Sequence, residues 1–415
     1  MPAPRHDPYA ALRHADFRWF VLSLMAMTVA TTMRGIVVGW QVYLVTHDAL
    51  SLGLIGLAEA LPFVAAALFA GHVADRTDRR LVTMVSMAVL LACAGALLML
   101  SLHHVIGPSD IRWFYLIIFA GGIARSFLMP ARTALAAELV PREHYANASA
   151  WRTSSWQMAA VAGPALGGLI YGFGGPVQAY GADLALMTLA VVTLLLVRPR
   201  GRPRGAVREP IRRSLAGGIR FVTDQPVILG AMALDLFSVL FGGAVALLPI
   251  YAADILHVGP RGLGVLRAAP AAGAVVMSLW LAHRPPFRRA GLALLANVGL
   301  FGVSIIAFGV SRSVLISVIL LAINGAVDVV SVVIRSTLVQ EWTPPALLGR
   351  VSSVNSIFIG SSNEIGAFES GLAAKLMGTV PSVVFGGCVT LLVVGVTAWR
   401  VPSLRRLKEI EAPTG

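Results

Sequence analysis

Ionisable residues inside long apolar segments are the part of this sequence most able to carry chemistry. A charged side chain at the centre of a bilayer costs about 2.5–3.5 kcal/mol on insertion scales, so it pairs, faces water or becomes neutral. A carboxylate there can exchange a proton for an arginine contact, because desolvation opposes its charged form and a nearby cation favours it. Such residues are Arg34, Glu59, Arg125, Asp183, Asp235, Arg267, Asp328, Glu364 and Glu369.

Membrane-spanning helices are the elements that must position these residues. Hydrophobic residues make up 57% of the 415 residues and charged residues only 13%, whereas a soluble protein carries about 25% charged residues. Backbone in lipid must satisfy its own hydrogen bonds, so each span is expected to be a helix. About twelve apolar runs are long enough to span a bilayer, namely 18–46, 51–72, 81–101, 112–136, 148–172, 176–197, 226–254, 261–283, 290–311, 313–338, 351–378 and 380–400.

The chain also matches itself at half its length. The segment Arg132–Pro141 returns as Arg335–Pro344 at an offset of 203 residues. Earlier parts of the two halves align at an offset of 208, which places Tyr43 on Tyr251. A repeat of two apolar units predicts an all-α membrane protein, with twelve helices in two pseudo-symmetric six-helix bundles of the kind found in transporters.

The distribution of basic residues predicts domain boundaries and orientation. Lys and Arg concentrate on one side of the predicted membrane, 23 against four, which places both termini in the cytoplasm and argues against nucleic acid as the partner of the +13 charge. The stretch 198–224 is rich in Arg, Pro and Gly and is the predicted cytoplasmic linker. It separates an N-terminal bundle, 1–197, from a C-terminal bundle, 225–400, with a cytoplasmic tail at 401–415.

Several other kinds of chemistry have little support in the sequence. No Walker A loop is present, so ATP is not expected to drive the protein directly. Cys93 and Cys388 both fall inside predicted spans and are interpreted as inert thiols. We expect a monomer that is not an enzyme and carries no metal or cofactor, with the lipid bilayer, protons and a small molecule as its partners.

One loop resembles a known family. The segment Gly71–Arg80 is similar to the signature of the major facilitator superfamily between spans 2 and 3, except that Asp78 stands where the family usually has Gly. The basic residues of this loop are expected to pair with Glu138, and those after span 8 with Glu341, as inner-face ion pairs that break in the other conformation; simple anchoring to headgroups is the alternative. The predicted inner gate is Asp75, Arg76, Arg79, Arg80, Glu138 and Glu341.

Further segments narrow the resemblance. The glycine-rich stretch of span 5 resembles the antiporter motif of drug and proton exchangers, with close helix packing as the alternative; its residues are Gly163, Pro164, Gly167 and Gly168. The segments Asn363–Gly371, Leu234–Phe237 and Ala246–Tyr251 are similar to the branch that contains enterobactin exporters and related secretion proteins. This resemblance implies proton-coupled efflux of a siderophore or hydrophobic drug across the inner membrane.

In the superfamily that this chain resembles, spans 1, 4, 7 and 10 line a central cavity. Arg125 and Asp328 are repeat equivalents and are expected to face each other there, while Arg34 and Asp235 form a predicted second pair. The alternative for each is a permanent structural ion pair, which is the favoured interpretation of Asp183. Two arginines in a cavity would also attract an anionic substrate. Two further carboxylates share the predicted proton-coupling role, Glu364 and Glu369.

The outer ends of the spans carry weaker signals. Glu59 is predicted to meet Lys375 as an outer gate. Aromatic residues near span ends are mostly interface anchors, but four side chains are candidates for stacking a substrate ring, Trp40, Tyr43, Trp156 and Gln157.

Three functional hypotheses remain open at this point. The first is an efflux antiporter for a siderophore or amphipathic drug, which the span 5 motif favours. The second is a proton-coupled importer of a small anionic metabolite. The third is a membrane receptor or scaffold without transport, which the intact charges inside the spans disfavour.

Overall fold

The computed structural model describes residues 7–103, 107–198, 211–285, 287–408 and 410. Side chains are described throughout these ranges except at 64, 67–76, 142, 211–216, 345–346, 353, 356–357, 361 and 364. Across the described ranges every regular element is a helix and no strand occurs. The α-helices are α1 Ala15–Thr46, α2 Ala49–Arg76, α3 Arg79–His103, α4 Ile111–Ala136, α5 Tyr145–Leu195, α6 Ile211–Asp224, α7 Pro226–Phe241, α8 Leu248–Ile250, α9 Gly259–Ala282, α10 Ala290–Val310, α11 Val314–Trp342, α12 Pro345–Met377, α13 Thr379–Arg400 and α14 Pro402–Arg406.

Each of the twelve predicted spans coincides with a helical stretch. Nine stretches in the described part of the chain are long and apolar enough to cross a membrane. One of them, α5, contains two predicted spans, because Gly175 at φ 79° breaks the helix immediately before Pro176. Only glycine adopts that backbone conformation without steric cost. The 28 residues of α2 and the 33 residues of α12 cover the two spans that remain.

The first of two structural units comprises Met1–Gln41 and Leu61–Val207. Its core is built from apolar side chains of α1, α3, α4 and α5, including Phe17, Met27 and Leu135. The span 5 glycines let α5 approach α1 closely. A Cβ added to Gly163 would lie 1.9 Å from Thr32 Oγ1, and one added to Gly167 would lie 2.8 Å from Met33 Cγ.

The second unit comprises Val42–Ala60 and Arg208–Gly415. It contains the C-terminal end of α1 and the first half of α2, so the unit boundaries differ from a simple division at the predicted linker. Within this unit α9 packs on α11, and α10 packs on both α11 and α13. Its core includes Ile228, Leu294 and Leu338.

Both polar segments predicted to lie in the cytoplasm contain ordered structure in unit 2. The described half of the predicted linker forms the amphipathic helix α6, whose Val222 joins the unit 2 core. Residues 199–210 of that linker lie outside the described residues. The start of the predicted tail forms α14, which buries Leu404 completely. The backbone N–H of Ala290 donates to the carbonyl of Lys408 at 2.8 Å, which fixes this segment at the start of α10.

Candidate functional site

A buried ion pair joins Asp235 on α7 to Arg335 on α11 in unit 2. The two side chains are only 9% and 7% exposed, so neither charge is solvated by bulk water. The sequence prediction paired Asp235 with Arg34, and that pairing is wrong. Arg335 lies three spans further along the chain, in the same unit, and supplies the counter-charge instead.

A second carboxylate lies beside this pair. Asp328 precedes Arg335 by two turns of α11 and shares its helix face. It is within electrostatic range of both Asp235 and Arg335, and no described side chain forms a hydrogen bond or an ion pair with it. Together with Asp235, Asn297 and Ser331 it forms the polar part of the lining of a small pocket between α7, α10 and α11. Arg335 therefore lies close enough to interact with two carboxylates, Asp235 and Asp328.

Unit 1 contains a different buried ion pair. Arg34 on α1 donates two hydrogen bonds to Asp183 on α5, from Nε to Oδ2 at 2.7 Å and from Nη2 to Oδ1 at 3.1 Å. The guanidinium also donates to the carbonyl of Leu90 at 3.2 Å. Asp183 is completely buried. This bidentate geometry agrees with the structural role expected for Asp183. It does not agree with the predicted pairing of Arg34 with Asp235, because Arg34 is already paired.

The repeat offsets relate this pair to two glycines of unit 2. Arg34 corresponds to Gly242 at offset 208, and Asp183 corresponds to Gly386 at offset 203. A Cβ added to Gly386 would lie 2.0 Å from the carbonyl oxygen of Phe241. The same helix–helix contact is therefore made by a bidentate ion pair in unit 1 and by close backbone approach in unit 2.

The other predicted cavity charges differ in their exposure. Arg125 projects from α4 in unit 1 with an exposed side chain. Glu369 on α12 is partly buried beside Ser370. Glu364 belongs to the side chains that the structure does not describe. The predicted approach of Arg125 to Asp328 joins residues of different units and stays a prediction.

One of the ion pairs predicted for the inner gate forms within unit 1. Arg79 Nη1 donates to Glu138 Oε1 at 2.7 Å. Arg80 donates instead to the carbonyl oxygen of Leu195 at 2.8 Å. The side chains of Asp75 and Arg76 lie outside the described set.

The corresponding pair of unit 2 does not form. Glu341 is exposed at the end of α11, and no described side chain makes an ion pair with it. The arginines that were expected to reach it, Arg284, Arg288 and Arg289, are also exposed. The guanidinium of Arg284 lies 4.7 Å from the centre of the Trp280 ring. A cation–π contact within its own helix end therefore replaces the expected ion pair.

The ends of several helices are joined within unit 2 at the level of the turn between α1 and α2. The Tyr43 hydroxyl at the end of α1 donates to Asp254. Lys375 Nζ at the end of α12 lies 3.4 Å from Asp48 Oδ1. The predicted partner of Lys375 was Glu59, but Glu59 lies eleven residues further along the chain, about 16 Å deeper along α2 at 1.5 Å per residue. Asp48, in the turn before α2, lies at the level of the lysine.

Two of the four predicted stacking residues are buried in the protein interior. Trp40 is 5% exposed and Tyr43 is 4% exposed, so neither ring is open to a ligand in this structure. Trp156 on α5 is 51% exposed. Gln157 is partly buried. The stacking prediction therefore stays open only for the pair on α5.

The whole chain matches a known family. The model of the transmembrane secretion effector family aligns with residues 6–413.

The chain belongs to the transmembrane secretion effector family.

Similar curated proteins agree with this assignment. The transporter is 29% identical to the enterobactin exporter EntS of Escherichia coli O1:K1 / APEC over 401 residues, covering 95% of this chain and 94% of the relative. It is 28% identical to the enterobactin exporter EntS of Citrobacter koseri over 398 residues, with the same coverage of each chain. The sequence-based assignment to the branch containing enterobactin exporters is confirmed.

Solved structures show the same fold. A POT family transporter in complex with 5-aminolevulinic acid superimposes with a TM-score of 0.71 at 14% identity, covering 94% of this chain and 96% of the other. The nucleoside transporter NupG gives a TM-score of 0.69 at 12% identity, covering 93% and 99%. The predicted major facilitator fold is confirmed, and the protein is a multi-pass membrane transporter.

Sequence reasoning missed several polar residues of this transporter. Arg335 is the first residue of the repeated ten-residue segment and lies inside a span. Its charge alone was therefore sufficient to predict a buried acidic partner. Asp48 and Asp254 lie near span ends, where carboxylates are common and carry little signal. Only their contacts with Lys375 and Tyr43 distinguish them from solvated residues.

The contact between α2 and α12 depends on two facing glycines, Gly53 and Gly371. A Cβ on Gly371 of α12 would lie 2.6 Å from Gly53 Cα and 2.8 Å from the carbonyl oxygen of Ala49. Since rigid backbone cannot give way easily, we expect Gly371→Ala to lower the unfolding free energy by about 1–3 kcal/mol, measured by denaturant titration in micelles. Gly395→Ala is the control, because nothing lies within 4 Å of a Cβ at that position. Equal stability of the two variants would contradict the contact.

Proposed function

We propose that this transporter exports a siderophore or an amphipathic drug-like molecule in exchange for protons, by alternating access across the cytoplasmic membrane. The proposal includes both termini in the cytoplasm, a monomer, and no cofactor other than the proton gradient. The observation that carries it is the arrangement of Asp328 beside the buried Asp235–Arg335 pair. Export rather than import is supported by the relatives, which are named enterobactin exporters.

The three charged groups of unit 2 form a natural proton switch. With both carboxylates ionised, Asp235, Asp328 and Arg335 carry a net charge of −1, and one bound proton makes the set neutral. A buried site changes its interactions strongly when its charge changes, because the low dielectric of the interior amplifies each unit of charge. Proton binding at Asp328 leaves Arg335 fully engaged with Asp235. Proton release allows Arg335 to divide its donors between the two carboxylates.

Such a change of partners can be coupled to helix movement. Asp235 lies on α7, whereas Asp328 and Arg335 lie on α11, so the strength of the ion pair sets how firmly the two helices are held together. A proton alters the equilibrium between two conformations only through its different affinity for them. We propose that the exchange of partners by Arg335 supplies that difference.

The contacts at the helix ends fit the two gates of an alternating-access cycle. Arg79–Glu138 belongs to the end that carries most basic loop residues, which we assign to the cytoplasm. Tyr43–Asp254 and Lys375–Asp48 belong to the opposite end. Ion pairs at helix ends are suitable gates because each is weak enough to break in one conformation and to form again in the other.

Direction and coupling are tested together in membrane vesicles. Everted vesicles containing the protein are energised with an acidic interior, and uptake of radiolabelled enterobactin and of ethidium is measured. Proton-driven export predicts uptake of at least one compound into everted vesicles, and loss of that uptake when an ionophore collapses the gradient. Gradient-driven uptake only into right-side-out vesicles would overturn export in favour of import. Binding without flux in either orientation would overturn transport of these compounds.

A further inference from the structure

The buried ion pair of unit 2 has an incomplete counterpart in unit 1. The repeat maps Arg335 onto Arg132 at offset 203 and Asp235 onto Met27 at offset 208. The two counterparts are also neighbours in space, since Arg132 Nη1 lies 3.9 Å from Met27 Sδ. Unit 1 therefore keeps the guanidinium and its position but has a thioether where unit 2 has the carboxylate.

In the described part of unit 1, both terminal nitrogens of Arg132 lie against thioether sulfurs rather than a carboxylate. Its second terminal nitrogen lies 3.5 Å from Met129 Sδ, and sulfur is only a weak acceptor. Among the described side chains no carboxylate forms an ion pair with Arg132. A guanidinium in such a place keeps its charge and its five donors, so it is prepared to bind an anion that arrives from outside the fold.

A second arginine adds to the positive charge. Arg152 on α5 is within electrostatic range of Arg132, and it too has no ion-pair partner in the described part of the chain. Arg132 lies about one turn before the end of α4, and Arg152 about two turns after the start of α5. Because the two helices follow each other through a short connection, both guanidiniums lie at the end of unit 1 that carries Arg79–Glu138.

Apolar and aromatic groups flank the two arginines. Trp156 follows Arg152 by one helical turn on the same face and is 51% exposed. Met129 precedes Arg132 by one turn and is 48% exposed. A flat ring system can stack on the indole and contact the thioether while its acidic group reaches the guanidiniums.

We propose that Arg132 and Arg152 bind the anionic group of the exported molecule and that Trp156 and Met129 contact its ring. The inference rests on the proposed export function and specifies its substrate class, a lipophilic aromatic molecule that carries a carboxylate or an ionised phenolic group. The ligand supplies the negative charge that Met27 does not, so binding completes in unit 1 the ion pair that Asp235 completes in unit 2. The exported molecule would then bind first at the proposed cytoplasmic end of unit 1.

The test compares two probes that differ in charge. Equilibrium dialysis measures binding of 2,3-dihydroxybenzoate and of its neutral amide to the full chain in nanodiscs of zwitterionic lipid. We expect wild-type protein to bind the anion about tenfold more tightly than the amide, as for a charge-assisted hydrogen-bonded pair. Equal binding of the two probes by wild-type protein would overturn the site.

Substitutions at the counter-ion position make the test specific. Met27→Asp is expected to remove the preference for the anion, because the new carboxylate pairs with Arg132 as Asp235 pairs with Arg335. Met27→Leu is the matched control and keeps the preference. Arg132→Met loses it and Arg132→Lys retains part of it, so the proposal stays testable if the buried aspartate prevents folding. Unchanged preference in Arg132→Met would overturn the proposal.

Two further measurements separate this proposal from its alternatives. Short-chain phosphatidylglycerol, added as a competitor to the zwitterionic nanodiscs, tests for a lipid headgroup site: displacement of the bound anion from wild-type protein at a lower concentration than unlabelled anion requires would overturn the assignment to substrate. Proton-driven ethidium uptake into everted vesicles tests the proposed function independently. Ethidium uptake without anion preference overturns the site alone, and anion preference without proton-driven flux of any tested compound overturns the proposed function alone.

Discussion

The Asp328→Asn variant is expected to lose nearly all proton-driven flux while it still folds and inserts in the membrane. Asparagine has the same shape but cannot bind or release a proton, so Arg335 remains paired with Asp235 throughout the cycle. Asp328 forms no hydrogen bond or ion pair in the described part of the chain, so its replacement by asparagine breaks no such contact there. Flux is measured as ionophore-sensitive uptake into everted vesicles, beside the amount of folded protein found by size-exclusion chromatography.

A surface carboxylate provides the control for loss of charge. Asp224 on α6 pairs with Arg220 at 3.8 Å, and its side chain is 67% exposed. Asp224→Asn removes the same formal charge and is expected to leave flux unchanged. Asp328→Glu restores a titratable group and is expected to recover part of the coupling. Normal pH-driven transport by Asp328→Asn would exclude this residue as the proton carrier.

Breaking the ion pair of unit 1 is expected to have the largest effect on stability. Removal of Arg34 leaves the buried Asp183 without its bidentate partner. Breaking a buried pair in this way typically lowers the unfolding free energy by about 3–5 kcal/mol. We expect a loss of this size for Arg34→Met, measured by denaturant titration in micelles.

The double substitution distinguishes the cost of an uncompensated charge from the cost of lost packing. Arg34→Met combined with Asp183→Leu removes both charges and is expected to regain most of the lost stability, since apolar pairs of similar volume often replace buried ion pairs without loss. Arg13→Met is the control, because Arg13 pairs with Asp7 at the surface and is 77% exposed. A similar loss in the single and the double variant would contradict this explanation.

The two units make equivalent helix–helix contacts with different residue types. Unit 1 joins α1 to α5 through Arg34 and Asp183, and unit 2 uses Gly242 and Gly386 at the equivalent positions. The reverse holds two turns earlier on α1 and α7, where unit 2 has the complete pair Asp235–Arg335 and unit 1 has Arg132 against Met27. The charges are thus distributed unequally between two similar scaffolds, which is what a transporter needs if one unit is to bind protons and the other an anionic substrate.

Amino-acid sequence alone determined the architecture of this protein. Twelve apolar runs of spanning length, the 203-residue repeat and the uneven distribution of basic residues led to the twelve-helix transporter fold, because bilayer thickness and backbone hydrogen bonding leave few alternatives. The contact between Arg79 and Glu138 was also predictable. Both residues lie at span ends on the basic side, where the family signature restricts the possible partners.

Only the tertiary structure decided which buried charges are partners. The sequence locates Arg34, Asp183, Asp235 and Arg335 within spans, but helical periodicity does not fix the rotation of one helix against another. A rotation of one residue turns a side chain by about 100° and exchanges its neighbours. Packing of glycines and apolar side chains sets these rotations, and it joins Arg34 to Asp183 while leaving Arg132 against Met27.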